Sequence, residues 1–350
     1  MYFASDNWAG VHPQVAAALN DAAAGFDPAY GSGDWDKRAK AQFSEIFERE
    51  VAVHFVATGT AANVLALSTA ALPGGIAFAH TGAHVIADEC GAYQFQTGGR
   101  LQAISGAYGK IDPASLSAAI ERIPPREPHA GQPSALSITQ ATETGMIYSL
   151  AELDTLTQIA KKRALAVHMD GARFTNALVS LDVSPAEMTW RRGVDMLSFG
   201  GTKNGCWSAE AVVFFDPAKA EQFGFYQMRA GQLFSKSRFI AAQFEAYFKD
   251  DLWLSSARHA NAMAAKLAAT IEQTQDMTLA WAPHANEVFV VMPRTEYARL
   301  QAAGAKFYPW STDDEPACGP LTPDQQVCRF VTSFATSDEH IAAFEKLLHI

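Results

Sequence analysis

The sequence predicts an α/β protein with a mostly parallel, doubly wound sheet, followed by a smaller α+β domain. Through the middle of the chain, short apolar segments alternate with segments of helical periodicity, which is the pattern of strand–helix–strand units. Several apolar segments have no polar face, as expected for parallel strands buried between two helix layers. Beyond about residue 245 the pattern changes to one long helix and two strands. The 350 residues suit a large domain at 1–245 and a small domain at 246–350.

The individual elements follow from the apolar runs and the residues that interrupt them. The first strand, 51–56, leads through Thr58-Gly59-Thr60 into a helix at 61–72, which ends at Pro73-Gly74-Gly75. The other strands of the large domain are predicted at 84–87, 135–139, 164–169, 195–199 and 211–215, with helices at 150–162 and 239–248. A proline-rich loop occupies 122–133. The small domain is predicted to hold a helix at 253–275, strands at 287–292 and 327–334, and a final helix from Asp338.

The composition is that of an ordinary globular protein, with 49% apolar and 18% charged residues. The net charge of −10 and the absence of a basic block argue against a nucleic acid or an anionic membrane as partner. No apolar run approaches the roughly 20 residues of a membrane helix, and residues 1–7 lack the features of a signal peptide. The four cysteines, Cys90, Cys206, Cys318 and Cys328, form no CxxC pair. We therefore expect reduced thiols and a cytoplasmic location.

Three motifs follow predicted strands, where open parallel sheets bind their ligands. After strand 51–56, Thr58-Gly59-Thr60 enters a helix whose first amides suit a phosphate, although a simple helix cap has the same sequence. After strand 164–169, Asp170 either holds a cationic heteroaromatic nitrogen, with Arg173 reaching the same ligand, or forms an ion pair with Arg173. After strand 195–199, Lys203 lies among small residues and is either a nucleophilic amine or a lysine of a surface turn.

The order of these motifs is the one that pyridoxal phosphate requires. This cofactor needs a phosphate anchor, an acid opposite its ring nitrogen and a lysine that forms an imine. Gly59 and Thr60, Asp170 and Lys203 supply them in that order, with the lysine 33 residues after the acid. Each motif alone has a simple structural explanation, but the combination predicts a pyridoxal-phosphate enzyme.

Longer stretches around these motifs resemble the low-specificity L-threonine aldolases, which are pyridoxal-phosphate enzymes of the aspartate-aminotransferase fold. The shared stretches occur in the family's order over nearly the whole chain, and the one at 168–177 is long and specific. They are Phe3-Ala4-Ser5-Asp6-Asn7, Ala29-Tyr30-Gly31, Gly59-Thr60-Ala61-Ala62-Asn63, Ala83-His84-Val85, 138–143, 168–177, 199–205 and Arg329-Phe330-Val331-Thr332.

This resemblance implies retro-aldol cleavage of L-threonine, L-allo-threonine and other L-β-hydroxy-α-amino acids to glycine and an aldehyde, without a metal. It implies that Lys203 bonds to pyridoxal 5′-phosphate, that Asp170 pairs with the ring nitrogen, and that His84 stacks on the ring. Gly59 and Thr60 are expected at the phosphate. The residues expected at the carboxylate of the amino-acid substrate are Arg173, Arg329 and, as an additional contact, Ser5.

The resemblance also implies a homo-oligomer, either a dimer or a dimer of dimers (a homotetramer), with active sites at the interface. Tyr30 matches an interface loop and is expected near the substrate. Arg229 is the expected basic group that crosses to the neighbour's phosphate, with Lys236 and Arg238 as alternatives.

Two histidines are candidates for removing the proton of the substrate's β-hydroxyl, because a neutral imidazole suits that task near pH 7. His129 lies on the loop at 122–133, and the resemblance makes it the larger expected contributor to proton removal. His84 is expected to contribute mainly to cofactor orientation. Taken alone, His84 would be interpreted as a strand histidine of the core.

Some alternatives remain open at this stage. The stretches at 139–143 and 200–204 depart from those of many relatives, so the preferred side chain cannot be transferred. The same cofactor also serves β-eliminating lyases, racemases and aminotransferases, which differ in their products. A metalloenzyme using His80 and His84, with Asp88, Glu89 and Cys90 following, is less favoured because no HExxH motif occurs. A non-catalytic binding module would carry no coloured cofactor.

Overall fold

The structure is a computed structural model that describes residues 1–348, and its strands form two sheets. The seven strands of the large sheet are β1 Ala52–Val56, β2 Ile76–His80, β3 Arg100–Ile104, β4 Pro133–Thr139, β5 Ala166–Gly171, β6 Met196–Gly200 and β7 Glu210–Phe214. The four strands of the small sheet are β8 Thr278–Leu279, β9 Glu287–Pro293, β10 Tyr308–Trp310 and β11 Gln325–Val331.

Helices connect and cover these strands. They are α1 Pro13–Ala22, α2 Asp34–Ile46, α3 Gly59–Thr69, α4 His84–Ala87, α5 Ala92–Thr97, α6 Pro113–Glu121, α7 Leu150–Lys162, α8 Phe174–Leu181, α9 Pro185–Met188, α10 Phe223–Arg229, α11 Arg238–Phe248, α12 Leu252–Glu272, α13 Arg294–Ala302 and α14 Asp338–Leu348. Short 3-10 helices lie at Asp6–Trp8, Trp190–Arg192, Thr202–Asn204, Pro217–Ala220 and Lys249–Asp251. None of the helices within residues 1–348 has the length and apolar character needed to cross a membrane.

The large sheet has the order β1-β7-β6-β5-β4-β2-β3. The pairs from β6 through β3 are parallel, whereas β7 lies antiparallel between β1 and β6. Strands β2, β6 and β7 are buried along their whole length, which explains why their sequences lack a polar face. The predicted α/β class with a mostly parallel sheet is therefore confirmed.

Most predicted elements appear within a few residues of their expected positions, but the observed chain differs from the prediction in several places. The predicted strand at 84–87 is wrong, because these residues form the short helix α4. Strands β2, β3, β8 and β10 were not predicted, and neither were helices α1, α2, α5, α6, α8, α9, α10 and α13. The sequence around β2 gives little warning because Ile76–His80 is short and follows two glycines. The strand predicted at 327–334 begins earlier and ends earlier, because β11 runs from Gln325 to Val331.

The small sheet has the order β10-β11-β9-β8, and all its pairs are antiparallel. It falls inside the predicted small domain, whose last two residues, 349–350, lie outside the described residues. The first residues of the chain join this sheet: Phe3 N donates to Lys306 O at 2.7 Å, and Phe3 O accepts from Val331 N at 2.8 Å. The division between two domains at residue 245 stays a prediction. The extended residues around Phe3, at the start of the chain, pair with the small sheet.

An aromatic cluster supports the carboxyl end of β6. Phe199, the last side chain of that strand, is completely buried. Its ring lies 5.3 Å from that of Phe43 on α2, 5.4 Å from Phe174 on α8 and 5.8 Å from Phe248 on α11. Close packing of large rings leaves little room for movement. The segment that follows β6, which carries Lys203, therefore starts from a fixed base.

Candidate active site

A cavity of about 430 Å³ opens at the carboxyl ends of β1, β5 and β6. This volume lies within the range of roughly 300–1,000 Å³ that is typical of small-molecule sites. The lining residues are Asn7, Ala57, Thr58, Gly59, Thr60, Asn63, His84, Glu143, Asp170, Ala172, Thr202, Lys203, Trp207, Ser208 and Glu210. Of the predicted site residues, the structure thus brings together Lys203, Asp170, Gly59, Thr60 and His84.

The N-terminus of α3 forms one wall of the cavity. The hydroxyl of Thr58 accepts a hydrogen bond from Ala61 N at 3.1 Å and so caps the helix. The next two amides, of Gly59 and Thr60, belong to the first turn, where the helix itself provides no acceptor. A Cβ at Gly59 would meet no protein atom within 4 Å. The Thr58 cap therefore leaves the amides of Gly59 and Thr60 without a helical acceptor at the cavity wall, which is the arrangement that an anion site at a helix N-terminus needs.

Lys203 lies in the 3-10 helix Thr202–Asn204 directly after β6. The turn before it is closely packed, since a Cβ at Gly200 would lie 2.6 Å from a backbone oxygen. After it, the Asn204 amide donates a hydrogen bond of 2.6 Å to the hydroxyl of Tyr247. Packing and hydrogen bonds therefore fix the backbone on both sides of the lysine. Lys203 lines the cavity, so the alternative of a lysine in an ordinary surface turn does not hold.

Asp170 is the last side chain of β5 and is almost fully buried. Its Oδ1 accepts from Ala172 N at 3.0 Å, and its Oδ2 accepts from Asn63 Nδ2 at 2.8 Å. The sequence left open an ion pair with Arg173, but the structure gives Arg173 other partners. The Asp170 carboxylate is therefore available to the cavity that it lines.

Arg173 is buried in an ion cluster beside the cavity. Its Nε and Nη2 donate to the two carboxylate oxygens of Asp6 at 2.8 and 3.1 Å, and its Nη1 lies 3.2 Å from Glu287 Oε2. Burial alone would raise the pKa of Asp6, but the charges of Arg173 and Lys203 outweigh it and lower that pKa. Burial raises the pKa of Glu287, and Arg173 opposes this shift. The cluster is held together by its own opposite charges.

Arg329 joins this cluster from β11. Its Nη1 lies 3.5 Å from Glu287 Oε1, and its guanidinium carbon lies 4.4 Å from the ring centroid of Trp310. Among the described residues, its Nε has no hydrogen-bond partner. A stacked guanidinium with free donors is well prepared for a planar carboxylate. The structure therefore gathers Arg173 and Arg329 around Glu287, next to the lining residues of the cavity but not among them.

His84 is the first residue of α4 and lines the cavity. Its Nδ1 lies 2.9 Å from Oε1 of Glu89, whose side chain is completely buried. This hydrogen bond raises the pKa of the imidazole. His84 is therefore neither a strand residue nor a histidine of the core, as its sequence taken alone suggested, but a half-exposed side chain at the ligand cavity.

Two further carboxyl groups line the cavity. Glu210, the first residue of β7, lies opposite Val56 and Gly200, the last residues of β1 and β6. Burial raises the pKa of Glu210 to about 7, with Lys203 opposing the shift. Glu143 contributes a second acidic group on the side nearest His84. Apart from Lys203 and His84, the titratable side chains that line the cavity are carboxyl groups, which suits a ligand that carries an amine or a cationic ring nitrogen.

His129 is not part of this site within one chain. It lies on the loop that precedes β4, and the neighbouring Gly131 packs against the turn before β2, at the amino end of the sheet. Its side chain is 95% exposed. The length of β4, about 20 Å for seven residues, separates this loop from the carboxyl end where Lys203 lies. The expected position of His129 over the cavity is therefore not found in the single chain.

Three other predicted site residues lie outside the cavity. Ser5 accepts a hydrogen bond from Asn7 N as the cap of the 3-10 helix Asp6–Trp8, and it borders a separate cavity. Tyr30 is exposed in a turn with a positive φ of 57°. Arg229 is exposed at the end of α10. Their proposed contacts with substrate or with a neighbouring subunit stay predictions.

The metal-site alternative finds no support in the geometry. His80 uses both ring nitrogens for backbone contacts, with Gly106 O at 3.1 Å and Gly82 N at 3.0 Å. Within residues 1–348, no group of three or more histidine, cysteine, aspartate or glutamate side chains is arranged to hold a metal ion.

Sequence reasoning assigned no role at this site to several polar residues, which include Asn63, Glu89, Glu143, Glu210, Glu287 and Asp6. Asn63 carried a usable signal, since an amide on the first helix after the phosphate motif faces the strand ends. No usable signal in the sequence marks the other residues as part of this site. The partners of Glu287 are Arg173 and Arg329, and their proximity depends on how the two sheets meet.

Comparison with known proteins decides the family. A model of the family described as beta-eliminating lyase matches residues 2–295. The chain belongs to this family. Its resemblance to threonine aldolases also extends to curated relatives: it is 41% identical to a low-specificity L-threonine aldolase of Pseudomonas aeruginosa over 308 residues, which cover 87% of this chain and 88% of the relative. The corresponding enzyme of a Pseudomonas species is 40% identical over the same shares of both chains.

A solved threonine aldolase structure from Leishmania major has the same fold as this beta-eliminating lyase family member. It superimposes with a TM-score of 0.91 at 28% sequence identity, over 99% of this chain and 98% of the other. The predicted pyridoxal-phosphate-enzyme fold of the aspartate-aminotransferase type is therefore confirmed, including the small second sheet.

Proposed function

We propose that the chain is a pyridoxal-phosphate-dependent aldehyde-lyase of the threonine aldolase type. It cleaves L-threonine, L-allo-threonine and related L-β-hydroxy-α-amino acids to glycine and an aldehyde, and it catalyses the reverse reaction. The observation that carries the proposal is the convergence of Lys203, Asp170 and the N-terminus of α3 on one cavity. The names of the relatives support the same activity.

The residues present fit the cofactor. The open space at Gly59 and the free amides of the first turn of α3 suit its phosphate, and the Asp170 carboxylate suits a protonated ring nitrogen. Lys203 would hold the cofactor covalently through its amine, and His84 would lie against the ring. When bound, pyridoxal 5′-phosphate supplies an electron sink for the charge that develops at the substrate's α-carbon.

The guanidinium of Arg329 is the proposed anchor for the substrate's α-carboxylate. Its Nε is free, its face is stacked on Trp310, and it is the more exposed of the two arginines. Arg173 already gives three of its nitrogens to Asp6 and Glu287. We therefore assign Arg329 to binding and Arg173 chiefly to the charge balance around it. A fixed carboxylate orients the Cα–Cβ bond, and orientation selects which bond breaks.

His84 is the proposed acceptor of the β-hydroxyl proton. Cleavage converts that hydroxyl to the aldehyde oxygen, so its proton must leave as the Cα–Cβ bond breaks, and one proton returns to Cα to give glycine. Among the described residues, His84 Nε2 has no hydrogen-bond partner, and the ring lines the cavity. A neutral imidazole is well matched to this transfer near pH 7.

A second copy of the chain is the proposed partner, and the cytoplasm is the proposed location. Trp207 lies on the cavity wall and is 60% exposed, while Phe225 and Met228 expose 69% and 65% on α10. Large apolar side chains that are exposed in the single chain favour a covered surface. In a dimer or a dimer of dimers, Arg229 at the end of α10 would then reach the neighbour's phosphate.

Absorbance and product analysis test this function together. The purified protein with pyridoxal 5′-phosphate should develop a visible absorption band. Borohydride should remove this band and leave the reduced cofactor attached to Lys203. L-threonine should yield equimolar glycine and acetaldehyde. A keto acid with ammonia as products would indicate a β-eliminating lyase. Formation of the opposite enantiomer would indicate a racemase, and transfer of the amino group to a keto acid would indicate an aminotransferase. The absence of a band would overturn the cofactor assignment.

A further inference from the structure

Glu89 is a buried carboxylate for which the proposed reaction has no direct use. It lies between α4 and α5, and its side chain is completely buried. Its Oε1 accepts two hydrogen bonds, from His84 Nδ1 at 2.9 Å and from Asn63 Nδ2 at 2.9 Å. Its Oε2 is buried without a hydrogen-bond partner among the described residues. A carboxylate in this condition costs free energy compared with an apolar side chain, so packing alone does not account for it.

The amide of Asn63 connects Glu89 to the base of the site. Its Nδ2 also donates to Asp170 Oδ2 at 2.8 Å, so its two hydrogens serve two carboxylates. Asn63 lies on α3, and both it and Asp170 line the cavity. A continuous chain of hydrogen bonds therefore runs from His84 through Glu89 and Asn63 to Asp170.

This arrangement determines which nitrogen of His84 is free. A carboxylate can only accept, so the hydrogen bond to Glu89 requires the proton on Nδ1 and leaves the Nε2 lone pair toward the cavity. The charged groups that face His84 are Glu89 itself, Glu143 from the segment after β4, and Asp170 from β5. All three are acidic, but only Glu89 makes a direct contact.

We propose that Glu89 is a positioning residue that fixes the orientation and tautomer of His84, and that Asn63 ties this pair to Asp170. The proposal rests on the function proposed above, because it prepares Nε2 to accept the β-hydroxyl proton. One amide then sets the geometry of two functional groups, one at each end of the chain of hydrogen bonds.

Nuclear magnetic resonance of the full-length protein with labelled histidine tests the proposal without catalysis. The His84 signal is assigned by its loss in His84→Phe. In the wild-type protein without added cofactor, the neutral His84 should carry its proton on Nδ1. A neutral ring protonated on Nε2 would overturn the proposal, and this measurement needs no Glu89 variant.

Glu89→Gln sharpens the test, because glutamine keeps the shape and the accepting oxygen but removes the charge. The pH at which His84 titrates should shift downward in this variant. The matched control is Glu127→Gln, because Glu127 lies 4.0 Å from the exposed His129, and this change should leave the His84 titration unchanged. A His84 titration that is the same in Glu89→Gln as in the wild type would also overturn the proposal.

Steady-state kinetics then separate positioning from a merely structural role. Glu89→Gln should lower kcat by about 10- to 100-fold, the range found when a metal-bound histidine loses the group that orients it, with little change in KM. The acidic limb of its kcat–pH profile should move to lower pH. If the wild-type protein proves to catalyse another reaction, the proposed function fails while the resonance experiment still decides the role of Glu89.

Discussion

One candidate histidine lies at the carboxyl ends of the strands of the large sheet (its carboxyl edge), and the other lies at their amino ends (its amino edge). The two histidines differ in burial and in the contacts of their rings. At the carboxyl edge, His84 lines the cavity and contacts a completely buried carboxylate at 2.9 Å. At the amino edge, the side chain of His129 is 95% exposed, and its Nε2 lies 4.0 Å from Oε1 of Glu127. The residue type is the same, so the direction of the adjacent strand decides whether the imidazole can meet a ligand. A loop that precedes a parallel strand lies away from the ligand edge, and a segment that follows one lies beside it.

Replacing Lys203 should produce the largest effect at the carboxyl edge. In Lys203→Ala no amine remains to hold the cofactor covalently, so the visible band and measurable cleavage of L-threonine should both be lost. Absorbance spectroscopy and glycine assays check this result. Retention of full turnover would contradict the placement of the active site at this edge of the sheet.

Asp170→Asn should give the next largest loss. Asparagine keeps the shape of the side chain but removes the charge opposite a protonated ring nitrogen. Without that charge the ring withdraws electrons less strongly, so kcat should fall by at least about 10²-fold, which corresponds to about 3 kcal/mol in the activation free energy. Cofactor should still bind through α3, and a fluorescence or absorbance titration measures this. An unchanged rate would remove Asp170 from the mechanism.

His84→Phe should lower kcat by about 100-fold, at the low end of what a general base contributes. In the wild type, the hydrogen bond with Glu89 raises the pKa of His84 above its ordinary value of 6.5. Because Nε2 accepts a proton only in the neutral ring, kcat should fall as the pH decreases through this raised pKa. The acidic limb of the kcat–pH profile should therefore lie above pH 6.5, and it should disappear in His84→Phe. A limb that persists in this variant would assign it to another group.

His129→Phe should produce the smallest effect, a change in kcat of less than about twofold, because an exposed residue away from the site contributes little. Measurement beside His84→Phe makes the comparison of the two edges direct. A large loss of kcat in His129→Phe would contradict the conclusion, drawn from the single chain, that His129 lies away from the active site. It would indicate that the loop of one subunit reaches the cavity of another, and mixing subunits that carry Lys203→Ala and His129→Phe would restore part of the activity.

The sequence was sufficient for the parts of the molecule in which neighbours in sequence act together. The phosphate motif, Asp170 and Lys203 each follow a buried strand, and the direction of parallel strands places them at one edge. It was insufficient where partners are distant: Arg173 binds Asp6, 167 residues away, rather than Asp170. Asp6 and Glu287 meet Arg173 because the two sheets are adjacent, and no local pattern shows this.

Short elements were the other source of error. The apolar residues Val85, Ile86 and Ala87 suggested a strand, but the chain turns at Gly82 and has room for one helical turn only. That turn brings residues 84 and 89 together. The error therefore concealed the contact between His84 and Glu89, which is a consequence of the helix.

The pairing of Phe3 with Lys306 and Val331 has a consequence for how the chain acquires its active site during synthesis. Proteins emerge from the ribosome with the N-terminal residues first, and domains tend to fold as they emerge. Here the partners of Phe3 appear only after more than 300 residues have been made. Asp6 lies three residues after Phe3, so we expect its ion pair with Arg173 to become stable only after the segment that contains Val331 has been made.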